Sequence, residues 1–231
     1  MSLLTLVQDA ARLLKQNSPS VITASTDELV QQMRGLANKV GEELSRRAAW
    51  PELRREVTFY ALATLDQTYL ISIASDFDRM VDDTFYNRTQ VKQVTGPIDA
   101  SEWQQDRANG YAGPGLKYIT RAGKLLVEPA FSSGDSCAFE YFTKHWCETT
   151  GGTGQEVLTY DSDIVRLPER IFKLGLVFEF LKTNDFPYAE AQEDYENAIE
   201  VHSGNVSGSR VLFLGGSQGI SNVNVQDNNF G

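Results

Sequence analysis

The sequence predicts an α+β protein with helices at both ends, a small antiparallel β region between them, and an extended C-terminal tail. Three observations carry this expectation. Apolar residues recur at helical spacing over the first fifty residues and again from about Leu167; a period of two fills the interval from Glu56 to about Glu148; and after Ser203 the composition turns to Gly, Ser, Asn and Gln. The segments are 1–52, 53–150, 151–203 and 204–231.

The first helix is read from the stripe Leu3, Leu6, Val7, Ala10, Leu13 and Leu14, broken by Asn17-Ser18-Pro19-Ser20. Ser25-Thr26-Asp27-Glu28 opens the second, because capping oxygens and early acids suit the positive end of a helix. Leu29, Met33, Leu36, Val40 and Leu44 continue it until Trp50-Pro51 stops it. Val57, Phe59 and Ala61 then alternate as a strand, as do Tyr69, Ile71 and Ile73. Asp99 is placed to cap a short helix over 100–109. Two strands flank Arg121-Ala122-Gly123, and the longest strand runs from Cys137 to Trp146. Pro168 and Glu169 suit the first turn of a third long helix, with Asp163 or a neighbour as its cap. Leu167, Ile171, Leu174, Phe178 and Leu181 line one side of it and Phe172, Leu176 and Phe180 another, so burial nearly all round is expected. The last helix runs from Tyr188 to about His202, with Tyr195, Ala198 and Ile199 inward.

The tail, 204–231, has no Lys and the single basic residue Arg210, with one apolar cluster, Val211-Leu212-Phe213-Leu214. Such a segment has nothing of its own to bury that cluster against. It reads as an extension that orders on a partner by strand addition, or as a frayed terminus.

Composition narrows the function. The 231 residues carry a formal net charge of -10, which argues against a phosphate-gripping surface but not against an acidic conduit past which DNA slides. No stretch approaches the roughly 18 to 20 continuous apolar residues that cross a bilayer, so no membrane partner is expected. Asp9 and Arg12 interrupt the apolar pattern of the N-terminus, which reads as an amphipathic helix and not as a signal peptide, placing synthesis in a cytoplasm. Cys137 and Cys147 on one straight strand would lie about 33 Å apart, so free thiols are expected.

Chemistry-bearing patterns are few. Cys137, His145 and Cys147 share a parity, but strand spacing separates them too far for one zinc ion and a fourth ligand is missing. Asp76-Phe77-Asp78, Asp82-Asp83 and Asp161-Ser162-Asp163 offer carboxylates for a metal or for acid and base work, against the plainer reading that they cap turns and helices. Gly215-Gly216-Ser217-Gln218-Gly219 lacks both the Lys and the following helix of a phosphate cradle. No nucleophile elbow or triad is present, and neither an enzymatic activity nor a cofactor or metal is expected.

Several segments in order resemble the head-to-tail adaptor (connector) family of short-tailed bacteriophages. They are Arg46-Arg47-Ala48-Ala49-Trp50-Pro51, Phe59, Tyr69-Leu70, Ala74-Ser75-Asp76-Phe77-Asp78-Arg79 and Asp82-Asp83. Gly96-Pro97-Ile98, Trp103, Gly123, Phe139-Glu140-Tyr141, Trp146, Asp161 to Asp163 and Leu167-Pro168-Glu169 complete the set. Ile73-Ala74 departs from the pattern, which has Leu-Pro there. The resemblance implies a discontinuous α-helical bundle, built from the first two and last two long helices, with a small antiparallel β-domain inserted. It also implies a virion protein of the neck: a twelve-fold homo-oligomeric ring under the portal protein that extends the DNA channel, helps retain the genome and offers a platform to tail or nozzle proteins. DNA would pass through without specific binding. Portal contact is expected from Arg210, Val211, Leu212, Phe213 and Leu214, with Phe230 as a further contact. The alternatives are another phage connector (head completion or tail terminator) and a small metal-dependent hydrolase centred on Asp76, Asp78 and Asp161.

Overall fold

The structure is a computed structural model, and it describes residues 1–110, 113 and 115–206. The first helix, α1 (Leu3–Leu13), starts where Ser2 Oγ accepts the Thr5 amide. It buries Leu3, Leu6, Val7, Ala10 and Ala11, but Leu13 of the expected stripe is 62% exposed at the last turn. The second, α2 (Glu28–Arg47), is capped by Asp27, whose carboxylate accepts the Leu29 amide. Its face of Val30, Met33, Leu36, Ala37, Val40, Gly41 and Leu44 is buried. Helix α5 (Glu169–Thr183) packs against α1, α2 and the final helix, α6 (Ala189–Val206). It is buried on several sides because apolar residues recur all round it. No residue caps it through its side chain: Pro168 occupies the cap position, and neither Asp161 nor Asp163 is used there.

Between α2 and α5 the chain forms β1 (Arg54–Tyr60), β2 (Asp66–Tyr69), the single-turn helix α3 (Leu70–Ile73), β3 (Phe77–Met80), β4 (Tyr86–Asn87) and β5 (Lys92–Thr95). Helix α4 (Ala100–Asn109), capped by Asp99, follows, then β6 (Leu116–Arg121), β7 (Lys124–Glu128) and β8 (Ser136–Thr143). Three two-residue strands, β9 (Cys147–Glu148), β10 (Gly154–Gln155) and β11 (Ile164–Val165), precede α5.

This overturns the expected architecture of a helical bundle with a small antiparallel insert. The main sheet has eight strands in the order β1-β8-β4-β5-β6-β7-β2, with β3 also on β8, and it is mixed, because β5 and β6 run parallel. A second sheet, β10-β9-β11, carries β structure past the expected boundary at residue 150, since β10 and β11 lie in the segment expected to be helical. The parallel pair arises because β5 and β6 are joined through α4, a crossover and not a hairpin. The main sheet is forced to curl. Laid flat, its strand path would span about 29 Å at the usual inter-strand spacing. Yet its two edge strands, β1 and β2, are joined directly by residues 61–65, a link that reaches at most about 22 Å. Rolling into a half-barrel brings the edges within that reach, and buried Gln67 pins the link by bonding Leu62 and Thr64.

Two cores result. One lies inside the curl and holds Phe59, Phe85, Val94, Tyr118, Leu125, Val127, Phe131, Cys137, Phe139 and Tyr141. The other lies among the helices and takes in Trp50, Phe142, Trp146, Cys147, Leu158 and Val165 as well. Strand β8 serves both, since its side chains alternate across the sheet.

Candidate functional site

The acidic clusters come first, since the hydrolase alternative rests on them. Asp76 Oδ1 accepts the Tyr141 hydroxyl at 2.7 Å, and Arg55 lies 3.9 Å from Oδ2. Partial burial works to raise its pKa, but hydrogen bonds from Tyr141 and Thr143 outweigh it and hold the carboxyl below the usual range. The same proton donation, with burial as the larger cause, pushes Tyr141 up to about 12. Asp78 pairs with its neighbour Arg79 at 2.8 Å. Asp82 and Asp83 are exposed beside β4. Asp161 sits elsewhere, tied to the link between α1 and α2: its carboxylate accepts the Ile22 and Thr23 amides and the Thr23 hydroxyl. Those bonds overcome the effect of its burial and lower its pKa. Buried Asp163 accepts the Thr159 and Tyr160 amides at 2.7 and 2.8 Å.

The backbone of this loop does capping of a kind the sequence did not suggest. The Asp163 and Asp161 carbonyls accept the amides of Leu3 and Leu4, two donors that the first turn of α1 leaves free. These carboxylates therefore order turns and splice distant segments, and Asp76 and Asp161 are not brought to one site.

Cys137 and Cys147 are free, buried and in different cores, because β8 ends at Thr143 and the chain turns before β9. Burial, with Asp135 near the first and Asp163 near the second, pushes both thiols up to about 12. Among the described residues no group of three or more His, Cys, Asp or Glu could hold a metal.

The surface carries a different signal. Large apolar side chains are exposed on the sheet side at Tyr60, Leu62, Tyr69, Ile71 and Val91, and on the helical side at Leu13, Phe186, Tyr188 and Val201. An open groove on the outer sheet face is lined by Glu56, Tyr86, Arg88, Val91, Ala138 and Glu140. Glu56 stands opposite Glu140 across β1 and β8, and the like charges are separated by Arg88 on Glu56 at 2.8 Å and Arg54 on Glu140 at 3.6 Å. Val91 at the groove's rim is 86% exposed and holds φ +54°, a strained conformation for a β-branched residue. At Ile71 sequence reasoning expected a strand continuing from Tyr69, whereas β2 ends at Tyr69 and α3 follows as one helical turn. The expected contact residues Arg210 to Leu214 and Phe230, and the Gly215–Gly219 run, lie outside the described residues.

Compared with known proteins, the chain matches no family model and no curated protein. No helix among the described residues is long and apolar enough to cross a membrane.

Proposed function

We propose that this chain is a head-to-tail adaptor of a tailed bacteriophage, a neck subunit that joins copies of itself in a ring, twelve-fold in the reading its sequence resemblance implies. The ring sits beneath the portal protein, continues the DNA channel, helps retain the genome and receives tail or nozzle proteins. The observation that carries the reading is that large apolar side chains stay exposed on both the sheet and the helices of one subunit. Tyr60, Leu62, Tyr69 and Ile71 lie on the sheet side, and Leu13, Phe186, Tyr188 and Val201 on the helices. A closed ring needs two different, complementary patches per subunit, because each copy meets its neighbours head to tail. The net charge of -10 supports a conduit that repels the DNA backbone. The use of Asp76, Asp161 and Asp163 as internal hydrogen-bond acceptors favours structure over catalysis.

The portal contact is assigned to Arg210 through Leu214, with Phe230 as a further contact, for the sequence reason that one apolar run stands in a polar tail. The test is native mass, for the full chain and for a chain ending at Val206 (where α6 ends), each alone and with the portal. The full chain is expected to be a monomer that forms a ring only with the portal, and the truncated chain a folded monomer that does not join it. A full chain whose mass is unchanged by an intact portal would refute the adaptor reading, and ring formation by the truncated chain would refute the role of the tail.

A further inference from the structure

We propose that the turn between β4 and β5 is a knob that enters the groove between α5 and α6 of a second copy of this chain. In this head-to-tail contact Val91 meets the apolar wall of the groove and Lys92 meets Asp194. The turn is held in shape from below. Buried Asp135 Oδ2 accepts the side-chain amides of Asn87 and Gln90 at 2.8 and 2.7 Å, and the Gln90 backbone amide donates to Asn87 Oδ1 at 3.0 Å. Ser136 on β8 adds two more bonds: its carbonyl accepts the Arg88 amide and its own amide donates to Thr89 Oγ1, both at 2.8 Å. Residues 87–90 are thereby tied to the sheet, and Val91 follows them at φ +54°, 86% exposed. Such strain persists only where the surroundings over-determine it, and here it holds an aliphatic side chain out in water. A side chain fixed in that way meets a partner without the ordering cost of a mobile loop.

The receiving groove lies where α6 runs back past the start of α5. It holds about 270 Å³ and is lined by Ile171, Ala198 and Val201, with Arg170 and Asp194 on the same walls. Val201 is 65% exposed, so the groove offers apolar surface that its own chain leaves uncovered. The charges indicate the occupant. Lys92 adjoins the knob in sequence, and Asp83 shares a hollow of the sheet with Val91. Lys92, Asp83, Arg170 and Asp194 are all exposed, and among the described residues none of the four has an ion pair. Each side thus offers one free cation and one free anion, and docking brings Lys92 to Asp194 and Asp83 to Arg170. Val91 is too exposed to be seated in the groove of its own chain, so both halves of the contact are met only by another copy. The contact is heterologous, because the knob and the groove are different surfaces. It stands without the adaptor reading; that its repetition closes a ring beneath a portal rests on that reading.

The test is disulfide trapping between separately made full chains without portal, which catches a contact too weak to change the native mass. One chain carries Val91→Cys and a mass tag, and the other carries Val201→Cys, with Leu62→Cys, also at an exposed apolar site, as the control. Native Cys137 and Cys147 are buried and take no part. The Val91→Cys and Val201→Cys chains are expected to link at least about tenfold faster than the control pair. Adding Asp194→Lys to the Val201→Cys chain should return the rate to the control, and adding Lys92→Glu to its partner should restore it. Linking no faster than the control, like chains linking as fast as unlike ones, or a charge swap that fails to restore the rate would overturn the proposal. Portal-driven rings without this trapping would remove the contact and leave the adaptor reading, and trapping without portal-driven rings would do the reverse.

Discussion

Helix α2 contains two glycines at which the same substitution should act with opposite sign. A Cβ at Gly35 would meet no atom within 4 Å, and the site is exposed. A Cβ at Gly41 would lie 2.3 to 2.5 Å from three ring carbons of Trp146, which is 2% exposed and packed against Phe172. Ala is favoured over Gly in a helix interior by about 0.8 to 1 kcal/mol, so Gly35→Ala should stabilise the protein by roughly that amount. At Gly41 the same gain is opposed by overpacking against a ring with no room to retreat, a cost of about 1 to 3 kcal/mol. The expected net effect at Gly41 is a loss of up to about 2 kcal/mol, and the two variants should differ by about 1 to 3 kcal/mol. Urea unfolding followed by circular dichroism measures both, and thermal midpoints should move apart by several degrees, at about 2 to 4 °C per kcal/mol for a chain of this size. If Gly41→Ala stabilised as much as Gly35→Ala, Trp146 would not lie against α2 and the packing of the helical core would be wrong.

Two further predictions concern titratable groups. Asp161 has a lowered pKa, so its share of stability is present above the unfolded carboxylate value, near 3.9, and is lost as pH falls through the folded value. Asp161→Asn should cost about 1 to 3 kcal/mol at neutral pH and should flatten the stability curve in the acid range below about pH 4. Parallel curves for the two proteins down to pH 3 would show that the carboxylate does not hold Ile22 and Thr23. Cys137 and Cys147, with thiols pushed up to about 12 inside separate cores, should resist a thiol reagent at pH 8 in the native protein and both react after denaturation. Rapid native labelling of either would contradict its burial.

The long helices were legible because their apolar stripes and caps are local, and Asp27 and Asp99 cap where the sequence places them. The sheet was not. Strands β4, β9, β10 and β11 have two residues each, too short for any alternation to register, and the parallel pairing of β5 with β6 depends on where α4 returns the chain. Tyr69, Ile71 and Ile73 alternate as in a strand, yet Leu70 N bonds Gly123 O and Ala74 N bonds Leu70 O, closing a helical turn instead. Trp146 follows β8 in sequence but leaves its line, because the chain turns after Thr143, where His145 N bonds the Thr143 hydroxyl and Trp146 N bonds the Lys144 carbonyl. The ring then falls on Gly41, a residue that reads as a propensity defect until its neighbour is known. The loop at Asp161–Asp163 misled for the same reason: acids just before a helix suggest a cap, whereas these serve segments about 140 to 160 residues away in the chain.

What the two cores share bears on how such a subunit could work in a ring. Strand β8 sends Phe139 and Tyr141 into the sheet core and Phe142 into the helical one. Arg79 on β3 reinforces that junction, with its guanidinium 4.6 Å from the Phe142 ring centroid and a hydrogen bond to the Ala48 carbonyl at the end of α2. A cation over an aromatic face and a charge-assisted bond to a helix C-terminus both resist hinge motion between the cores. The sheet and the helices are thereby held as one unit, which is the rigidity that the proposed head-to-tail ring would require of its subunit, since closure depends on a fixed relation between the two surfaces that meet.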